Sequence, residues 1–112
     1  MNPARMQGLT RRLIALDSVT GNEAEICRFL RQELPPRGFS VRGFPVSGDR
    51  ENLLVTTSGT PPKILFNTHL DTVPVQYGPH EDRDRVYGRG ACDTHGVLAA
   101  QLEAVQDLAE EG

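Results

Sequence analysis

Tryptophan is absent and lysine occurs once, at Lys63, so eleven of the twelve basic residues are arginine. The two cysteines, Cys27 and Cys92, are too few for a disulfide framework and fit a reducing compartment. No apolar run approaches the roughly 20 residues a membrane helix needs, which argues against a membrane partner. Charge of one sign is never concentrated: twelve Lys and Arg stand against fifteen Asp and Glu, a net charge of −3, with no block of either. Nucleic acid is therefore not an expected partner, because phosphate binding draws on a clustered basic surface. The opening MNPARMQGLTRRL lacks the uninterrupted apolar core of a signal peptide, so the expected location is cytoplasmic.

What is present is ordinary for a globular chain: 38% hydrophobic and 24% charged residues over 112 positions, a length that fits one domain. Met6, Leu9, Leu13 and Leu16 recur at helical spacing, with Ile14 widening the stripe, and predict an amphipathic helix over 5–16. A second helix carries Ile26, Phe29, Leu30 and Leu34 and stops at Pro35-Pro36. Thr20 with Glu23, or Asn22 with Glu25, has the spacing of a capping box at its start. Strands are predicted over 39–45 and 52–57, with Ser58-Gly59-Thr60-Pro61-Pro62 as a turn before a third strand over 63–69. In that third segment, KILFNTH, an apolar run precedes polar residues, the pattern of a strand buried on both faces. A polar loop over 74–85 and a helix over 94–111 complete the chain. That helix places Val97, Leu98, Leu102, Val105, Leu108 and Ala109 on one stripe, with Gly112 as C-cap. This order indicates an α/β fold with its site at the polar end of the central strand.

Two segments carry chemistry. In Thr68-His69-Leu70-Asp71-Thr72-Val73-Pro74, an extended backbone points His69 and Asp71 to the same side, their Cα atoms roughly 6.5–7 Å apart. A carboxylate so placed receives one imidazole N–H and leaves the other nitrogen free, the arrangement that fixes a metal-ligating histidine. Alone, this spacing is common in histidines that bind nothing. The second segment, Tyr87-Gly88-Arg89-Gly90-Ala91-Cys92-Asp93-Thr94-His95-Gly96, sets Asp93 just before a helix, where an aspartate is often only a cap. Together, His69 and Asp93 can converge on one divalent cation, and zinc accepts mixed nitrogen and oxygen ligands.

These two motifs, with Ser18-Val19-Thr20-Gly21-Asn22-Glu23-Ala24-Glu25 before them, resemble the paired signature of the co-catalytic di-zinc metallopeptidases. That family includes acetylornithine deacetylase, succinyl-diaminopimelate desuccinylase, aminoacylase and glutamate carboxypeptidase. The resemblance implies the amino-terminal portion of a three-layer α/β/α catalytic domain with a mixed sheet, and two zinc ions, with cobalt as a substitute. It implies that His69 is a ligand of one zinc, Asp71 the catalytic carboxylate that orients and polarises it, and Asp93 the carboxylate bridging both. The family commonly has a cis peptide after the bridging aspartate, here Asp93-Thr94. Its members hydrolyse an amide with a zinc-activated water and a glutamate general base. The implied substrate is an N-acyl amino acid or small peptide, with the Gly-Arg-Gly-Ala-Cys-Asp wording leaning toward the acetylornithine deacetylase and desuccinylase branch.

Two departures stand out. His95 occupies the place where the family most often has lysine. The family's paired glutamates, its remaining ligands and its lid or dimerisation domain have no counterpart before Gly112, so the 112-residue chain by itself is expected to be inactive. Two alternatives are a non-catalytic module that binds or pairs with a separate chain, and a cysteine hydrolase built on Cys92 and His95. Cys27 is expected in the core, His80 in solvent and Arg89 in a structural salt bridge. Open sheet edges and an uncovered apolar face imply self-association.

Overall fold

The computed structural model describes residues 1–57 and 61–111. Helix α1 runs over Pro3–Ile14; Asn2 opens it, its side chain accepting the Arg5 amide at 3.0 Å, and Pro3 occupies the first turn where a missing N–H costs nothing. Helix α2 runs over Ala24–Glu33 and passes into a tight 3₁₀ turn, Pro35–Arg37, closed by Gly38 in the left-handed region. Neither expected capping box forms. The Glu23 side chain accepts the Gly21 amide at 2.9 Å and pairs with Arg50, and the Thr20 hydroxyl is turned toward Asp71.

Strands β1, Phe39–Ser47, and β2, Arg50–Thr57, form an antiparallel hairpin in register from Phe39 with Thr57 to Pro45 with Glu51. Both are longer than their apolar cores suggested, because the turn falls at Gly48 and the ladder extends to it. Within the expected polar loop, β3, His80–Glu81, pairs antiparallel with β4, Val86–Tyr87. Helix α3 covers Gly96–Glu111. The expected turn residues 58–60 and the Gly112 cap lie outside the described residues.

The core joins Leu9 and Leu13 of α1, Ile26 and Leu30 of α2, Leu34, Phe39, and Ala99 and Leu102 of α3. Cys27 is buried beside it, as expected. The inward face of α3 is rotated from the expected stripe: Ala99, Leu102, Glu103 and Gln106 are buried, Leu98 and Val105 pack at the margin, and Val97 and Leu108 face solvent. The cause is polar. Glu103 turns inward because Arg5 and the Asn2 amide satisfy its carboxylate, at 2.7 to 3.2 Å, so α3 docks on α1 through an ion pair as well as through carbon.

The largest correction concerns 63–69. This segment forms no strand and joins no ladder, and Ile64, Leu65 and Phe66 are 69%, 80% and 48% exposed. A strand is stabilised by neighbours on its edges, and among the described residues none flanks it. The observed architecture is accordingly a small mixed α/β arrangement of three helices and two short antiparallel pairs. No helix among the described residues is long and apolar enough to cross a membrane.

Candidate metal centre

His69, Asp71 and Asp93 come together at the end of segment 63–69. The backbone there is fixed by Ser18–Thr20: Thr72 donates its amide to the Ser18 carbonyl and Thr20 donates its own to the Thr72 carbonyl, both at 3.0 Å, a parallel bridge between Val19 and Thr72. On the other side, the wide turn Ala91–His95 leads into α3 and carries Asp93 out of helical geometry, at φ −125° and ψ 90°. The Asp93-Thr94 peptide is cis.

His69 Nε2 lies 2.9 Å from Asp93 Oδ1, and its Nδ1 lies 2.9 Å from the Asp71 carbonyl and 3.2 Å from Asp71 Oδ1. The expected His69–Asp71 pairing is therefore present, with the Asp71 carbonyl as the nearer acceptor. Asp93 is not a helix cap: it bonds His69, and its side chain is largely exposed. Thr94 ties the two motifs together, accepting from the Thr68 hydroxyl at 2.7 Å and donating to the His69 carbonyl at 2.9 Å.

The electrostatics follow from these contacts. Partial burial pulls the His69 pKa down, but the Asp71 carbonyl and the Asp93 and Asp71 carboxylates outweigh it and raise the value above the ordinary imidazole range. Asp71 is held below the usual carboxylate range, chiefly by the Thr20 hydroxyl at 2.6 Å and against a smaller cost of burial. His95 is only 1% exposed, and burial pushes its pKa down despite the Leu70 carbonyl. A neutral ring donating from Nε2 to that carbonyl at 3.1 Å leaves Nδ1 without its proton, and Nδ1 has no hydrogen-bond partner among the described residues. At this position the imidazole thus serves as a buried brace on the His69–Asp71 segment, where a lysine ammonium would have to be desolvated.

These groups border an open cleft of about 290 Å³ lined by Thr20, His69, Asp71, Tyr77, Arg89 and Asp93, among others. The donor set suits a divalent ion: an imidazole nitrogen whose other nitrogen is anchored on Asp71, beside a carboxylate whose second oxygen makes no hydrogen bond among the described residues. Two donors on one tetrahedral zinc stand about 3.3 Å apart, so His69 Nε2 and Asp93 Oδ1 need separate only slightly to share one. They would supply two of about four ligands; among the described residues no group of three His, Cys, Asp or Glu side chains is placed to hold a metal ion together. Cys92 is exposed on the cleft wall and makes no hydrogen bond to His95 among the described residues, which removes the support for a cysteine hydrolase.

Arg89 departs from its expected salt bridge. Its Nε donates to the Val75 carbonyl at 2.9 Å and its guanidinium lies over the Tyr77 ring, 5.1 Å from the centroid. His80 is exposed, as expected. Sequence reasoning assigns no site role to Thr20 or Thr94: Thr20 reads as a candidate helix cap and as part of the Ser18–Glu25 resemblance, and Thr94 only as the residue after Asp93 in the second motif.

Residues 65–112 match the family model described as peptidase family M20/M25/M40. A probable carboxypeptidase of Aspergillus clavatus is 34% identical over 96% of this chain, and one of Emericella nidulans is 39% identical over 91%. A peptidase M20 domain-containing protein of Schizosaccharomyces pombe is 32% identical over 93%. The chain spans about 27% of the length of each of these relatives. The matched region includes His69, Asp71, Asp93 and all of α3, and the chain is similar to these relatives along nearly its whole length: its carboxy-terminal 48 residues are similar to peptidase family M20/M25/M40.

Proposed function

We propose that this chain supplies part of the metal centre of a zinc-dependent hydrolase that cleaves the amide bond of a short peptide or an N-acyl amino acid. The observation that carries the reading is His69 Nε2 at 2.9 Å from Asp93 Oδ1 on a cleft wall, with His69 Nδ1 held by Asp71. His69 and Asp93 are the metal ligands in this reading, and Asp71 orients His69 and keeps electron density on its ring. Zinc, when bound, polarises the scissile carbonyl and lowers the pKa of water. The chain's own residues set the ligand geometry: Asp71 holds the His69 tautomer that frees Nε2, and Thr94 keeps the two motifs in register. No glutamate among the described residues lines the cleft, so the general base comes from elsewhere in a complete site. The fold this implies for a complete site is the three-layer α/β/α domain, with further strands beside 63–69.

The relatives named as probable carboxypeptidases support release of a carboxy-terminal amino acid. The Gly-Arg-Gly-Ala-Cys-Asp wording supports deacylation of an N-acyl amino acid, and both are hydrolyses of the same bond type. Calorimetric zinc titration tests the centre: His69→Ala and Asp93→Asn should each weaken binding at least about tenfold, and wild-type affinity in both refutes it. The 112-residue chain alone should bind zinc yet turn over neither N-acetyl amino acids nor N-blocked dipeptides. Zinc-dependent cleavage by that chain at an enzymatic rate would overturn this division of labour.

A further inference from the structure

The residues that hold Asp71 belong to a part of the chain far from both metal-site motifs in sequence, and the contact is specific. Thr20 Oγ1 donates to Asp71 Oδ2 at 2.6 Å, the shortest hydrogen bond made by Asp71, while its alternative acceptor, the Thr72 carbonyl, is 3.4 Å away. A hydroxyl has one proton, so the carboxylate receives it. With Oδ2 pinned, Oδ1 is turned to His69 Nδ1 at 3.2 Å, and His69 Nε2 faces Asp93. A four-residue relay thus runs Thr20, Asp71, His69, Asp93.

The backbone removes the slack from this relay. The paired amide bonds between Ser18, Thr20 and Thr72 fix the distance from the Thr20 Cα to the Asp71 backbone. From the opposite side, His95 grips the Leu70 carbonyl and touches Ser18 Oγ at 3.4 Å. Aspartate has a soft terminal torsion with two broad wells, so a carboxylate one-third exposed would otherwise sample several orientations.

We infer that Thr20 is a positioning residue of the metal centre: its hydroxyl fixes the Asp71 carboxylate, which fixes the ring of His69 with Nε2 directed at the cation shared with Asp93. This rests on the metal-centre reading above. Thr20 touches neither cation nor substrate in this role.

The test compares Thr20→Val, which keeps the shape and removes the hydroxyl, with Thr20→Ser, which keeps the hydroxyl, using zinc titration and the visible spectrum of the cobalt(II) form. Loss of a group that orients a ligand typically weakens a metal about 10- to 100-fold. Thr20→Val should therefore bind zinc at least about tenfold more weakly and shift the cobalt bands, whereas Thr20→Ser should restore both to within about threefold. A merely structural threonine would lower the melting temperature without altering the cobalt bands. Wild-type zinc affinity and cobalt spectrum in Thr20→Val, while Asp93→Asn loses the metal, would overturn the role of Thr20 and leave the centre standing. Wild-type affinity in Asp93→Asn would remove the centre, and the role of Thr20 with it.

Discussion

Alanine in place of Gly90 should cost far more than alanine in place of Gly38, although the two backbones are nearly the same, at φ +91° and +93°. The left-handed region penalises a Cβ by about 1–2 kcal/mol at either position. At Gly38 an added Cβ meets nothing within 4 Å, so that penalty is the whole effect. At Gly90 it would stand 2.7 Å from His95 Nδ1, 3.0 Å from Cε1 and 3.1 Å from Cγ. The ring cannot retreat into solvent, since His95 is buried, and moving it gives up the bond to the Leu70 carbonyl, worth about 0.5–1.5 kcal/mol, with some packing besides. Gly90→Ala should therefore destabilise by about 2–4 kcal/mol against about 1–2 for Gly38→Ala, read from urea unfolding. In the double variant Gly90→Ala with His95→Ala the clash is gone, and the losses should fall short of their sum by about 1 kcal/mol or more. Equal costs at the two glycines, or strict additivity in the double variant, would refute the packing of His95 against the Gly90 turn.

Arg5→Met strands the buried Glu103 carboxylate; because Arg5 is itself partly exposed, the cost should be about 2–3 kcal/mol at neutral pH, below the full range for a buried pair, and Glu103→Gln added to it should recover a good part in chemical denaturation. The Arg5 guanidinium holds Glu103 below its ordinary value of 4.5, so its contribution is present above that value and is lost as pH falls through the lower folded value; the Arg5→Met variant should show a flatter acid limb. The raised His69 pKa means that protons compete with zinc at higher pH than for a free imidazole: affinity should climb as pH rises through and above about 6.5, and a pH-independent affinity there would contradict it. Ile64, Leu65 and Phe66, already partly covered, each stand to gain about 1–2 kcal/mol if buried, so the chain should self-associate in sedimentation and Leu65→Glu should return it toward monomer.

The helices were legible because Leu9, Leu13, Ile26 and Leu30 repeat at helical spacing and prolines mark α1's start and α2's end. The inward face of α3 was not, because Glu103 is buried by a partner ninety-eight positions away that no local pattern announces. The segment 63–69 reads as a buried strand from its composition, yet burial depends on neighbours its own residues do not supply. At the site, His69, Asp71 and Asp93 were legible through spacing and resemblance. Thr20 was misread as a helix cap because the same hydroxyl serves either acceptor, and only the Val19–Thr72 bridge decides between them.

Cadmium-113 substitution with ¹⁵N-labelled histidine tests the shared-cation claim most directly, since the chain has just three histidines, His69, His80 and His95, to tell apart. A one-bond coupling from the metal to Nε2 of His69, absent in His69→Gln and weakened or lost in Asp93→Asn, is the expected result. Coupling to His80 or His95, or to no histidine when cadmium is bound, would contradict it.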